Sequence, residues 1–202
     1  MRKALLFAPM ILLCIALCGC GETEEQKTRD VQAYYRGLSA VEAETELKCH
    51  YDGEVREYTL ACAYTPETAE VTVVVPEDLG GIAAVFDGET MSLRYEDILL
   101  DAGNYSGTEI SPFWAIPSFF AAASNGYPLE YCVEGELLRV TFEVTDEEGG
   151  KTWYAGWFDG ENKPVRGEIT VGETVVYEMK FTTFTTEEQQ DGTAAAEDLG
   201  GN

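Results

Sequence analysis

Leu137-Leu138-Arg139-Val140-Thr141-Phe142-Glu143-Val144-Thr145 alternates apolar and polar side chains with a period of two. Successive side chains of a strand point to opposite faces, so Leu138, Val140, Phe142 and Val144 share one face while Arg139, Thr141 and Glu143 share the other. Val175, Tyr177, Met179 and Phe181 repeat the pattern against Glu178, Lys180 and Thr182. One face of the resulting sheet is wet.

Outward from this stretch the same period predicts strands over Thr45–Tyr51, Val55–Tyr64, Ala69–Val75, Ile82–Phe86 and Met91–Tyr95. After the middle of the chain it predicts Leu129–Glu134, Leu137–Thr145, Thr152–Phe158, Val165–Val171 and Thr174–Phe184. Turn residues separate them, among them Asp52-Gly53, Asp87-Gly88, Gly135, Gly149-Gly150, Asp159-Gly160 and Gly172. Links of hairpin length cannot make parallel crossovers, so the strands form an antiparallel meander.

Three segments depart from the strand pattern. Gln26–Leu38 places Val31, Tyr34, Tyr35 and Leu38 at three- and four-residue spacing and reads as an amphipathic helix packed on the sheet. Glu96–Ala102 reads as a brief helix. The stretch from Ser111 to Ala123 starts with an N-cap serine and a first-turn proline and ends at Ser124-Asn125-Gly126. That insertion is apolar nearly all round, so it has to be covered on more than one side, by protein or by something bound.

At the N-terminus, Arg2 and Lys3 precede a 14-residue apolar run, Ala4 to Leu17, which is too short to span a bilayer. The order Leu17-Cys18-Gly19-Cys20 resembles the lipobox of bacterial lipoproteins, in which the cysteine is acylated and becomes the first mature residue. Cys20 is therefore read as a lipid anchor. Each buried methylene of an acyl chain contributes about 0.8 kcal/mol, and two or more chains give stable anchoring. The expected organisation is a signal peptide over 1–19, a tether over 20–26, one domain over 27–186 and a disordered acidic tail over 187–202.

The formal net charge of −24 comes from 37 acidic against 13 basic residues, and two of the basic ones fall in the signal segment. Nucleic acid has no basic stripe to hold it, and anionic headgroups repel the body while the anchor keeps it near them. Catalysis has little to stand on: metalloprotease, nucleophile-elbow, phosphate-loop and Cys-x-x-Cys motifs are all missing. His50 shares strand parity with Glu46 and Lys48 and is read as exposed. The acidic turns at Asp146-Glu147-Glu148 and at Asp159, Glu161 and Asn162 lack EF-hand spacing, so neither a metal nor a cofactor is expected.

Cys49, Cys62 and Cys132 remain in the folded body. A hairpin with pairings summing to 111 sets Cys49 opposite Cys62, a disulfide candidate in an exported protein; two buried thiols are the alternative.

The aromatic residues supply the candidate site. Trp153 and Trp157 share one parity of a strand whose other parity carries Tyr154 and Phe158, so both of its faces are apolar. Together with Phe113, Trp114, Ile116, Phe119 and Phe120 of the insertion, the two tryptophans are the candidate lining of an apolar pocket, with an ordinary packed core as the alternative.

A lipobox, an amphipathic helix, about ten antiparallel strands and an apolar helical insertion together resemble the lipoprotein-sorting family of LolA, LolB and LppX, with the related GerS spore-germination lipoproteins. One local match runs from Trp157 to Ile169, a strand, a polar turn and the Pro164-Val165-Arg166 strand start, followed by a last strand like Thr174–Phe184. A second covers Tyr58 to Pro76, then Gly80-Gly81-Ile82 and the Phe86-Asp87-Gly88-Glu89 turn. The resemblance implies an α+β, mainly β fold: a strongly curved antiparallel sheet of 10–11 strands, an unclosed half-barrel, with an N-terminal helix and a short helical insertion on its concave side. It carries no catalytic residues.

Two functions follow as expectations. The first is a membrane-anchored, non-enzymatic protein on the extracytoplasmic face of a bacterial membrane, holding an acyl chain or other apolar ligand. The second is a regulatory lipoprotein of GerS type that binds a cell-envelope enzyme or a second copy of itself. LolA carriers are soluble, whereas this chain is tethered by its lipobox, as LolB, LppX and GerS are.

Overall fold

The structure, a computed structural model, describes residues 23–88, 90–104 and 111–188. The lipobox with Cys20, Glu89 of the second local match and all but the first two residues of the acidic tail lie outside these residues.

Helix α1 (Glu24–Arg36) starts at Thr23, whose hydroxyl accepts the Gln26 N–H at 3.2 Å, and has Glu24 and Glu25 in its first turn and Arg36 in its last. The chain then turns at Gly37 straight into β1 (Leu38–Tyr51), so the helix starts and ends two residues earlier, and the strand runs longer, than their apolar periods predict. Leu38, expected as the last residue of the helix stripe, opens the strand instead.

The strands follow as β2 (Glu54–Tyr64), β3 (Thr68–Val75), β4 (Ala83–Asp87), β5 (Thr90–Tyr95) and β6 (Ile98–Asn104). Helix α2 (Pro112–Asn125) intervenes before β7 (Tyr127–Glu134), β8 (Leu137–Thr145), β9 (Lys151–Phe158), β10 (Pro164–Val171) and β11 (Thr174–Glu188). All eleven form one antiparallel sheet in the order β6-β5-β4-β3-β2-β1-β11-β10-β9-β8-β7, whose first and last members do not pair. Helix α2 touches β2 and β3 as well as β8, β9 and β10. Strands so far apart in the sheet order can reach one helix only if the sheet curls around it, which makes the array a half-barrel with α2 in its hollow.

β6 corrects the helix expected over Glu96–Ala102. Tyr95 pairs with Ile98 across a two-residue turn in which Glu96 has a φ of 50°, and Leu93 and Leu100 continue the ladder. Without a glycine the turn carried no visible mark, and the apolar run Ile98-Leu99-Leu100 was read with the wrong period.

The β1–β2 hairpin corrects the register that set the disulfide candidates Cys49 and Cys62 opposite each other. Asp52 and Gly53 both take left-handed φ, 50° and 79°, and form a two-residue turn that pairs Tyr51 with Glu54. That turn sets Cys49 opposite Arg56 and Cys62 opposite Ala43. Both thiols are buried and free.

The core fills the part of the hollow between α1, α2 and the middle strands. Val31, Tyr35, Leu47, Leu60, Val71, Phe142 and Phe158 are buried there with Ile116, Phe119 and Phe120 of α2. Gln32 of α1 donates to the Gly126 carbonyl at 2.8 Å and Arg36 to the Ser124 carbonyl at 2.8 Å, which pins the end of α2 to the first helix.

Candidate functional site

Helix α2 has two working faces. Ile116, Phe119, Phe120 and Ala123 point into the core and are at most 1% exposed. Trp114, Ser118, Ala121, Ala122 and Asn125 recur at helical spacing on the other side and line a groove of about 890 Å³. Its opposite wall comes from β8 to β11, with Tyr154, Ile169, Val176 and Tyr177 as the apolar floor and Thr145, Asp146, Lys151 and Gly172 toward the rim. The groove opens to solvent along one side.

Several of its polar groups are engaged with one another or with backbone. Ser118 donates to the Ala115 carbonyl at 3.2 Å within its own helix. Burial pushes the Tyr154 phenol above its ordinary pKa, and a hydrogen bond with Ser118 pulls it partly back. At the rim the Lys151 ammonium sits 2.9 Å from Glu143 Oε1, an ion pair that lowers the Glu143 pKa. Small side chains on one wall and large apolar ones on the other leave room for an apolar guest.

The structure divides the seven expected lining residues. Trp114 lines the groove and packs against Phe86 with ring centroids 4.9 Å apart. Phe113 is half-buried at the edge of the core. Ile116, Phe119 and Phe120 belong to the core: Phe119 contacts Phe120, Phe158 and Phe181 with centroids 5.5–6.2 Å apart, and Phe120 contacts Tyr35, Tyr64 and Phe184.

Trp153 and Trp157 stand on the outer face, opposite to Tyr154 and Phe158. The Trp157 indole N–H donates to Glu134 Oε2 at 2.8 Å, and the Arg166 guanidinium lies 3.9 Å from its ring with Arg139 at 5.3 Å. Two cations over one ring bury an outward-facing tryptophan to 4% exposure without any ligand. Trp153 donates to Glu143 Oε2 at 3.1 Å.

Tyr154, Ile169, Val176 and Tyr177 line the groove although the sequence did not single them out. For Tyr154 the strand parity was visible but not which parity faced the hollow, and Val176 joins its neighbour Tyr177 in the lining through the register shift between Ile169 and Thr170. The acidic turns close on themselves: Asp146 Oδ1 accepts the Glu148 and Gly150 N–H groups, and Asp159 Oδ1 those of Glu161 and Lys163. Among the described residues no group of three or more His, Cys, Asp or Glu side chains is placed to hold a metal ion. His50, partly exposed, lies 2.7 Å from Glu178 Oε1.

No protein-family model matches the chain, and no curated protein matches it in sequence. Among solved structures, a LolA superfamily protein from Nitrosomonas europaea superposes with a TM-score of 0.52 at 10% identity, covering 82% of this chain and 94% of that one. The fold is LolA-like. Two further likenesses have lower scores. Lipoprotein LppX from Mycobacterium tuberculosis matches with a TM-score of 0.40 at 14% identity over 78% of this chain and 93% of its own. A chain of the Clostridioides difficile complex of the CwlD amidase with the GerS lipoprotein matches with a TM-score of 0.37 at 12% identity over 85% and 95%. At such identities the likeness is one of architecture: an unclosed LolA-like sheet wrapped around a helix.

Proposed function

We propose that the chain is a non-enzymatic, extracytoplasmic lipoprotein, anchored through acylated Cys20, whose LolA-like half-barrel holds an acyl chain or other apolar group beside α2. The observation that carries this reading is the groove itself. About 890 Å³ bounded by Trp114, Ala121, Ala122, Tyr154, Ile169 and Val176 lies within the usual size range of a small-molecule site and offers an apolar chain more contact than it offers water. The lipobox and the short apolar run before it support the anchor and the location at a bacterial envelope.

The test is native mass spectrometry of the purified body, followed by displacement of a fluorescent fatty acid by unlabelled fatty acids. Co-purified lipid or saturable displacement supports the reading, and neither appearing refutes it. A second reading, a lipoprotein that docks on an envelope protein, draws on the exposed apolar residues of the free edge strand β6, where Ile98, Leu99 and Leu100 are 58–64% exposed. A protein partner in stoichiometric complex, with the groove empty of lipid, would favour it.

A further inference from the structure

The groove mouth and the start of α1 lie at opposite ends of the strands. The mouth is bounded by the β8–β9 turn, where Asp146 and Gly150 contribute, and by the β10–β11 turn at Gly172. The first turns of α1 sit over the other end, where Lys27 and Asp30 border a crevice with Glu136, Leu137, Asp159 and Asn162. Those partners belong to the β7–β8 and β9–β10 turns, so the nine residues of β8 separate the two places. Nine residues at 3.3 Å each span roughly 30 Å.

Cys20 precedes the N-cap Thr23 by only three positions. Three extended residues reach at most about 10 Å, too little to let the body turn its far end to the surface that holds it. Both ends carry carboxylates, Asp146, Glu147 and Glu148 at the mouth and Glu24, Glu25 and Asp159 at the α1 end, so the short tether and not charge sets the orientation.

We propose that the groove exchanges its apolar ligand across the aqueous phase, through a mouth that points away from the bilayer holding the chain, and not laterally with that bilayer's own leaflet. This rests on the anchor and groove readings above.

The experiment measures the height of each end above the membrane. Acylated full-length chain carrying Cys132→Ser receives a single dye at Glu161→Cys or at Glu148→Cys; Cys49 and Cys62 are buried and do not compete. Energy transfer to acceptor lipids in vesicles of phosphatidylcholine with phosphatidylglycerol is expected to place residue 161 near the surface and residue 148 farther out, by up to roughly 30 Å less strand tilt. Equal heights, or residue 148 nearer the bilayer, on vesicle-bound protein overturn the orientation while leaving the groove reading standing. Failure of the chain to float with vesicles overturns the anchor and the proposal together. Fatty-acid displacement by the soluble body tests the groove separately.

Discussion

Gly156 and Gly167 face each other across the β9–β10 pair, and the Phe119 ring of α2 lies on the bare patch they leave. A Cβ on Gly167 would stand 2.8 Å from Phe119 Cε2, and one on Gly156 would stand 3.0 Å from Phe119 Cζ and 2.5 Å from Phe158 Cζ. Neither glycine has a left-handed φ, so space and not backbone freedom keeps them side-chain-free. This contact sets how deep α2 sits in the hollow, and so how wide the groove on its other side remains.

Gly156→Val is expected to push Phe119 and α2 outward, with a stability loss of about 1–3 kcal/mol typical of an overpacked core. Urea unfolding followed by tryptophan fluorescence reads it. A midpoint equal to that of the parent protein would show that the ring is not held by the glycine pair.

Ala121→Trp fills the groove from the helix side without entering the core, because Ala121 is partly exposed and lines the groove. Binding of a fluorescent fatty acid should drop at least tenfold, while the thermal midpoint changes little. Trp153→Phe, on the outer face, should leave the same binding curve in place; loss there would move the site to the convex side.

Burial holds Cys49 and Cys62 protonated, with the pKa of each pushed up from 9.0 to about 12, and it raises the pKa values of Tyr35, Tyr64 and Tyr154. In the unfolded chain these groups lose their protons at lower pH than in the folded one. Their stabilisation is therefore complete below pH 9 and is lost as pH rises from about 9 to 12. Denaturant unfolding across that range should show stability falling with pH, and Cys62→Ala should make that fall shallower. In native buffer at pH 8 a thiol reagent should modify Cys132 first; prompt modification of Cys62 would contradict its burial.

Gly53→Val forces a β-branched residue into a φ of 79° in the β1–β2 turn, a conformation that glycine adopts without cost. A loss of roughly 1–2 kcal/mol is expected. Because the turn sets the register, circular dichroism of the variant should also show weakened strand signal if the hairpin slips; full native stability would mean that cross-strand contacts alone hold the pairing.

The antiparallel meander was legible in local pattern: period-two alternation with Gly- and Asp-marked turns predicted ten of the eleven strands, and the Ser111-Pro112 start and Gly126 stop bracketed α2; the curl into a half-barrel was implied only by the family resemblance. β6 was missed because its turn at Glu96 and Asp97 uses no glycine. Trp114 was found among the groove residues because a helix that is apolar all round advertises a second covered face, but the remaining lining was not.

Strand alternation, helix ends and a lipobox-like N-terminus are properties of neighbours in the chain, so the residues determine them without reference to the rest of the molecule. Which apolar face of β9 looks inward is a different kind of fact. Tyr154 and Trp153 are equally suited to burial, and the choice falls to partners far away in sequence: Ser118 beside Tyr154, Phe119 on Gly156 and Gly167, and Arg139 and Arg166 over Trp157. The groove beside α2 was likewise decided only when the sheet curled around the helix, because packing between distant segments leaves no periodic trace in any one of them.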